Sequence, residues 1–420
     1  MENKKENKFL KLLKQDSMAY INKYISQILL LMINANVYIV YSVGEAIYNV
    51  IYGSIYAISE SAKRDTKREK TKEKQEEHLS NTVLINILYS LSLCFIVICF
   101  KEQIANIFLD NKELINVLNI YFVFMVMKAI TISILRPLYS VGNTEGHIIE
   151  IAKINKNRLT YISILLFILL GITKILNIDN ITILISIMLI YILTEIYQTY
   201  LTYKIVKKLN IKYMKFKKSI KIFKENYHYL LSMLVYDFGS IISTYIGSLF
   251  GGVGILISKI LYESYKFGSF IHNIYTKYLE EQMYTGKIDK YKPVIKKLTI
   301  SAIIGSVLSV IIFSLQLKFN VELKDFTQLS IYSYIFIFIY CMSYCLDYSA
   351  DIVTRISGHV KQLFIISIID LIIKLIIVAI LQYIKMDMFL AFTLLLLGGF
   401  VSYINVIKIV IKQKTIKICD

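Results

Sequence analysis

The sequence predicts an all-α polytopic membrane protein with about twelve transmembrane helices in two pseudo-symmetric six-helix lobes. Composition is the first observation behind this prediction: of 420 residues, 56% are hydrophobic and 19% are charged, and the mean hydropathy is +0.57. A soluble domain carries about 25% charged residues. The second observation is the length of the apolar runs, such as Tyr161 to Leu170, and the third is the distribution of Lys and Arg between them.

Apolar windows between charged breaks predict twelve spans in order along the chain. A helix needs roughly 20 apolar residues to cross a bilayer, and each window approaches that length. The first window begins near Ile21, behind lysines and without a small-residue cleavage site, so we expect an uncleaved span rather than a signal peptide. The windows lie near residues 17–34, 36–59, 82–100, 114–135, 159–176, 180–203, 228–249, 252–274, 298–316, 327–350, 362–383 and 388–407.

Lys and Arg alternate strictly between the two sides of these spans. Of 48 such residues, 37 fall in the terminal segments and the loops on their side, six in the opposite loops and five within spans. Cytoplasmic loops of membrane proteins carry this excess. We therefore expect a cell-membrane protein with both termini in the cytoplasm. The same bias accounts for the net charge of +18, so no nucleic-acid partner is expected.

The chain also repeats itself at an offset of about 212 residues, which predicts lobes over 1–210 and 211–420. With six spans each, the halves share one orientation and are related by an axis along the membrane normal, an architecture found in many transporters. Three pairs of segments carry the repeat: Asp110–Leu114 with Glu322–Phe326, Ser140–His147 with Ile352–His359, and Lys63–Lys74 with Lys277–Lys297.

The sequence contains no motif for enzyme chemistry. No Walker loop, catalytic triad or metal-ligand spacing is visible. We therefore predict a protein that is not an enzyme, uses no cofactor and holds no metal beyond a transient sodium ion. Four of the five cysteines lie within apolar runs, and we interpret all five as small apolar residues: Cys94, Cys99, Cys341, Cys345 and Cys419.

Three stretches resemble a known family. Val141–Thr144 follows the fourth span and resembles a Gly-Asp-Thr turn, and Arg355–Lys361 follows the tenth and is similar to an Arg-Gly-x-Gly-Asp-x-Lys turn. Asp237 lies in the seventh span, with Gly252 fifteen residues later. With the twelve-span layout, these features resemble the multidrug and toxic-compound extrusion (MATE) family of the multidrug/oligosaccharidyl-lipid/polysaccharide exporter superfamily.

The resemblance implies a V-shaped, two-lobed antiporter that exports organic cations by alternating access, driven by sodium ions or protons. It equally admits relatives that flip lipid-linked sugars. The implied partners are a small-molecule substrate, Na⁺ or H⁺ and the lipid bilayer, and the implied state is a monomer.

A polar stripe in the seventh span is the first candidate site for the coupling cation. Asp237, Ser240 and Thr244 follow helical spacing. A charge inside the membrane usually faces a cavity or a partner. A carboxylate beside hydroxyl oxygens suits reversible binding of Na⁺ or a proton; the alternative is a structural aspartate capped by local hydroxyls.

The tenth span supplies the second candidate. The acidic position of sodium-linked family members falls near Tyr344, and Asp347 lies about one turn further on. Asp351 is expected to pair with Arg355, its i+4 neighbour. We expect Asp237 and Asp347 to face one polar pocket in the second lobe.

Glu45, Tyr48 and Tyr52 predict a substrate cleft on the second span. Aromatic faces beside a carboxylate bind organic cations by cation–π attraction, whereas the alternative reading of this tyrosine stripe, which continues to Tyr56, is packing. Glu195 with Gln198 on the sixth span is a weaker candidate.

Intramembrane lysines leave the flippase alternative open. Lysines that line the lumen would hold the phosphates of a lipid-linked saccharide, whereas lysines paired along their own helix would be neutralised. The residues concerned are Lys259 and Lys266 with Glu263, and Lys374 with Asp370.

Overall fold

The computed structural model describes residues 2–68, 71–144, 147–206, 211, 215–284, 290–319, 329–356, 360–384, 386–394 and 397–412. This part of the chain folds into fifteen helices, which confirms the all-α fold class. The repeat segments Glu322–Phe326 and part of Ile352–His359, part of the Arg355–Lys361 motif, and Cys419 lie outside the described residues.

Seven of the first eight helices correspond to the first seven predicted spans. The short helix α4 is the exception, and the hydropathy windows did not predict it. The bounds are α1 Glu2–Ile33, α2 Ala35–Arg68, α3 Lys72–Cys99, α4 Lys101–Phe108, α5 Lys112–Thr144, α6 Ile148–Ile175, α7 Asn180–Ile205 and α8 Phe216–Leu249.

One of the later spans is divided between two helices. The span near 252–274 breaks at Ser269, and the span near 388–407 is helical over its described residues, 388–394 and 397–407. The bounds are α9 Gly251–Gly268, α10 Phe270–Tyr284, α11 Tyr291–Phe319, α12 Ile331–Ile356, α13 Val360–Tyr383, α14 Met388–Leu394 and α15 Leu397–Lys412.

Eight helices among the described residues are long and apolar enough to cross a membrane. Helix α9 is not one of them, because Lys259, Glu263 and Lys266 fall within its 18 residues. Many helices expose large apolar side chains, and Phe167 of α6 is 67% exposed. Such surfaces match lipid rather than water. The chain is a multi-pass membrane protein.

The chain divides into two compact units, Met1–Ser240 and Ile241–Asp420. The division falls inside α8, whereas the predicted lobe boundary lies at residue 210, and the two-lobe assignment stays a prediction. In unit 1, α5 packs against α2, α3 and α7, and α1 packs against α6. In unit 2, α11 packs against α9 and α12, and α15 packs against α12 and α13.

A capping side chain and a glycine mark two of the helix ends. Asp179 caps α7, because its carboxylate accepts hydrogen bonds from the backbone N–H and the hydroxyl of Thr182. These bonds hold the pKa of the Asp179 carboxyl below its usual value.

Between α8 and α9 the chain turns at Gly251, whose φ of 76° suits glycine. The family resemblance points instead to the next residue, Gly252.

Candidate functional site

Helix α2 presents a row of tyrosines and one carboxylate to its neighbours α5 and α7. Tyr41, Glu45, Tyr48, Tyr52 and Tyr56 are three or four residues apart, so they share one face of the helix. Tyr41 stacks on Tyr191 of α7, with ring centroids 5.8 Å apart, and meets Tyr121 of α5 edge to face at 5.9 Å. The row is therefore built into the interior of unit 1.

Glu45 is held by two groups of unit 1. Tyr41 donates its hydroxyl to Glu45 Oε1 at 2.9 Å, and Lys128 Nζ of α5 donates to the same oxygen at 3.2 Å. The Lys128 side chain is only 4% exposed, and its ammonium also lies 4.1 Å from the ring centroid of Tyr48. The predicted cleft residue Glu45 is thus one half of a buried ion pair.

Arg136 of α5 lies over the next two tyrosines of the row. Its Cζ is 4.4 Å from the ring centroid of Tyr52 and 5.6 Å from that of Tyr56. In this structure, therefore, Lys128 and Arg136 lie on the tyrosine faces predicted to receive an organic cation. A substrate role for Glu45, Tyr48 and Tyr52 stays a prediction.

A second ion pair links α6 and α7 in the same unit. Arg158 Nη1 donates to Glu195 Oε1 at 3.2 Å, and the Glu195 side chain is 6% exposed. One turn along α7, Gln198 donates to the Tyr139 hydroxyl and to Asn155 Oδ1 at 3.4 Å. Sequence reasoning included Glu195 and Gln198 but missed Arg158, because the spacing along the chain does not show which helices become neighbours.

Asp237 belongs to unit 1 and lies against α2. A Cβ atom at Gly53 would collide with the Asp237 carboxylate, so the missing side chain leaves room for this close approach. One turn later, Ser240 donates its hydroxyl to the Asp237 carbonyl at 2.7 Å and to the Ala46 carbonyl at 3.4 Å. The Ser240 hydroxyl thus bonds to backbone. Thr244 follows on the same helix, beyond the division between the units.

Asp347 of α12 belongs to unit 2, together with other charged groups. Ser402 of α15 hydrogen-bonds to its carboxylate, and Asp370, Lys374 and Asp351 are its charged neighbours. Lys374 Nζ lies 2.5 Å from Asp370 Oδ2, which confirms the i,i+4 pair predicted for α13. The shared pocket of Asp237 and Asp347 stays a prediction.

Tyr344 belongs to an aromatic cluster at the contact between α9 and α12. It stacks on Tyr265 with ring centroids 4.7 Å apart and meets Tyr340 at 5.1 Å. On α9, Lys259 Nζ lies 3.2 Å from Glu263 Oε1, which confirms the second i,i+4 pair. Lys266 Nζ lies 4.1 Å from the ring centroid of Tyr262. A coupling role for Tyr344 stays a prediction.

A polytopic helical chain that buries ion pairs inside its helix packing has the features of a membrane transporter. Residues 69–156 match the model of the MatE family. This segment is similar to the MatE family, and the chain as a whole has the fold of MATE transporters. No curated protein sequence matches it.

Solved structures show the same fold along nearly the full chain. A eukaryotic MATE transporter, AtDTX14, superposes with a TM-score of 0.64 at 12% identity, covering 96% of this chain and 94% of that one. A MATE protein crystallised with MaD3S gives 0.62 at 11% identity, covering 97% and 95%. The lipid II flippase MurJ, in an inward closed conformation, gives 0.61 at 15% identity, covering 93% and 87%.

Proposed function

We propose that this chain is a secondary active exporter of the cell membrane, coupled to a sodium or proton gradient and working by alternating access. The observation that carries the proposal is the acidic cluster of unit 2. Among the described residues, the carboxylates of Asp370 and Asp351 and the ammonium of Lys374 act on the charge of Asp347. A group of carboxylates within a membrane helix bundle, next to the Ser402 hydroxyl, suits reversible binding of a small cation.

Unit 1 favours a second candidate, a flippase for an anionic lipid-linked substrate. Its cluster holds three cations, Lys128, Arg136 and Arg158, against the two carboxylates Glu45 and Glu195. The fold similarity to the lipid II flippase MurJ is compatible with this candidate. Export of organic cations remains the first candidate because it follows from the family.

Gradient-driven movement of two probes tests the proposal and separates the candidates. Proteoliposomes carry either ethidium or a fluorescent polyprenyl diphosphate, under an imposed sodium gradient, an imposed pH gradient or neither. We expect one gradient to drive one probe and Asp347→Asn to remove the coupling, since an amide neither carries the charge nor releases a proton.

Asp387→Asn is the matched control in unit 2. Asp387 is exposed and caps α14 through the Phe389 and Leu390 backbone N–H groups, and asparagine caps equally well. This variant should transport normally. Movement of neither probe under either gradient, or normal coupling in Asp347→Asn, contradicts the proposal.

The orientation of the chain is also proposed from its charges. In a cysteine-free background, a cysteine at position 70, between α2 and α3, should react with a membrane-impermeant reagent only after the cells are opened. Lys112→Cys, at the start of α5 and on the opposite side by the charge distribution, should react in intact cells. Labelling of position 70 in intact cells would reverse the topology.

A further inference from the structure

We propose that Arg136, together with Arg158 of the same unit, binds a phosphate group of the transported substrate. The site lies within unit 1, where α5 carries Arg136, α6 carries Arg158 and α2 carries the tyrosines Tyr52 and Tyr56. This inference deepens the flippase candidate and rests on the proposed transport function for its biological meaning. It names the substrate class as a phosphate-bearing amphiphile.

The stacking of Arg136 leaves its hydrogen-bonding edge available. Tyr52 and Tyr56 contact the guanidinium through their ring faces, at 4.4 Å and 5.6 Å. A guanidinium carries five N–H donors in its plane. A carboxylate would accept hydrogen bonds from these donors, whereas a stacked aromatic ring leaves them unused. The tyrosines thus fix the orientation of Arg136 without neutralising its charge.

Two of the nearby carboxylates form ion pairs with other cations. Glu45 pairs with Lys128, and Glu195 pairs with Arg158. Among the described residues, no carboxylate forms an ion pair with Arg136, and its buried Nε has no hydrogen-bond acceptor. A cation inside a membrane protein is costly unless a partner of opposite charge meets it. An anionic ligand supplies that partner.

Arg158 makes the site suit phosphate in particular. It lies close enough to Arg136 to act on its charge, as do Tyr139 and the Glu195 carboxylate that Arg158 binds. Arg158 binds Glu195 through Nη1, while its buried Nε has no acceptor in the described part of the chain. Two guanidinium groups with spare donors match the several acceptor oxygens of a phosphate, and bidentate contacts of this kind are strong.

Equilibrium binding to the purified full-length protein tests the inference. The probes are polyprenyl phosphate, followed as adducts by native mass spectrometry, and inorganic pyrophosphate, added as a competitor. Losing charge-assisted hydrogen bonds of this kind lowers affinity by about tenfold or more, so we expect that loss for polyprenyl phosphate in Arg136→Gln. Competition by pyrophosphate would show that the phosphate alone is recognised; its failure to compete would show that the lipid-borne group is required. Both results support a phosphate site if Arg136→Gln weakens the binding.

Lys204→Gln is the matched control. Lys204 is an exposed cation of the same unit and lies 4.4 Å from the Tyr200 ring centroid, so the variant removes a cation–π contact outside the site. The affinity of this variant for polyprenyl phosphate should equal that of the wild type. Arg136→Lys keeps the charge but loses the planar fork, and it carries the test if Arg136→Gln fails to fold; it too should bind more weakly.

Wild-type affinity in a folded Arg136→Gln protein, or in Arg136→Lys if the glutamine variant does not fold, would overturn the inference. The binding is measured without any ion gradient. A failure of gradient-driven transport would therefore contradict the proposed function and leave the phosphate site standing. Normal transport with unchanged phosphate binding in Arg136→Gln would contradict the phosphate site and leave the proposed function standing.

Discussion

Replacing Asp237 with asparagine is expected to abolish gradient-driven export while substrate binding persists. The amide keeps the size and hydrogen-bonding reach of the carboxylate, but it cannot release a proton and attracts Na⁺ far less. The position of Asp237 against Gly53 of α2 ties the carboxylate to helix packing inside unit 1. The measurement is ion-gradient-driven efflux of the probe from proteoliposomes, with expression and probe binding followed in parallel.

Two further variants make this result specific. Asp179→Asn makes the same chemical change at the exposed cap of α7, where asparagine keeps the capping bond, and should transport normally. Gly53→Ala places a methyl group where the Asp237 carboxylate lies, so it should also impair export, although Asp237 itself is unchanged. Normal gradient-driven efflux by a well-expressed Asp237→Asn protein would exclude the coupling role.

Replacing Lys128 with methionine is expected to produce a large loss of stability. The variant removes the buried ammonium and leaves the Glu45 carboxylate, whose side chain is 20% exposed, without this cation. Breaking one side of a fully buried ion pair costs about 3–5 kcal/mol, and the partial exposure of Glu45 lowers that cost. The contact with the Tyr48 ring is lost as well. In a background that lacks Cys419 and the exposed Cys99, a thiol-reactive dye can follow thermal unfolding, because Cys94, Cys341 and Cys345 are buried in the folded state.

The double variant Lys128→Met with Glu45→Gln should recover much of this loss, because it removes both charges. Lys204→Met removes an exposed cation from the Tyr200 ring and should leave the melting temperature almost unchanged, as exposed charges contribute little. If Lys128→Met melts like the wild type, the pair is not a stabilising element of unit 1.

Hydropathy predicted the helices well because it depends on local composition alone. Each of the twelve predicted spans is helical over its described residues, and the break at Ser269 was missed. Hydropathy carries no signal for such a break, because it reports the composition of a segment and not its backbone geometry. The i,i+4 pairs Lys259–Glu263 and Asp370–Lys374 were predicted for a similar reason: helical spacing alone brings their side chains together.

Pairs between helices were beyond prediction from the sequence. Glu45 and Lys128 are 83 residues apart, and Arg158 and Glu195 are 37 apart. Their meeting depends on which helices become neighbours and on the rotation of each about its axis. The sequence therefore indicated a tyrosine row with one carboxylate, and the structure added the lysine and arginine that lie on it.

By itself, the sequence determined that this chain is a helical membrane protein, because long apolar runs and alternating basic loops leave few other solutions. Tertiary structure alone decided which charged groups meet in its interior. It joined Glu45 to Lys128 and Arg158 to Glu195, and it left Arg136 stacked on Tyr52 without an ion-pair partner among the described residues. The physical reason is that hydropathy is a property of each segment, whereas charge compensation is a property of side chains brought together by packing.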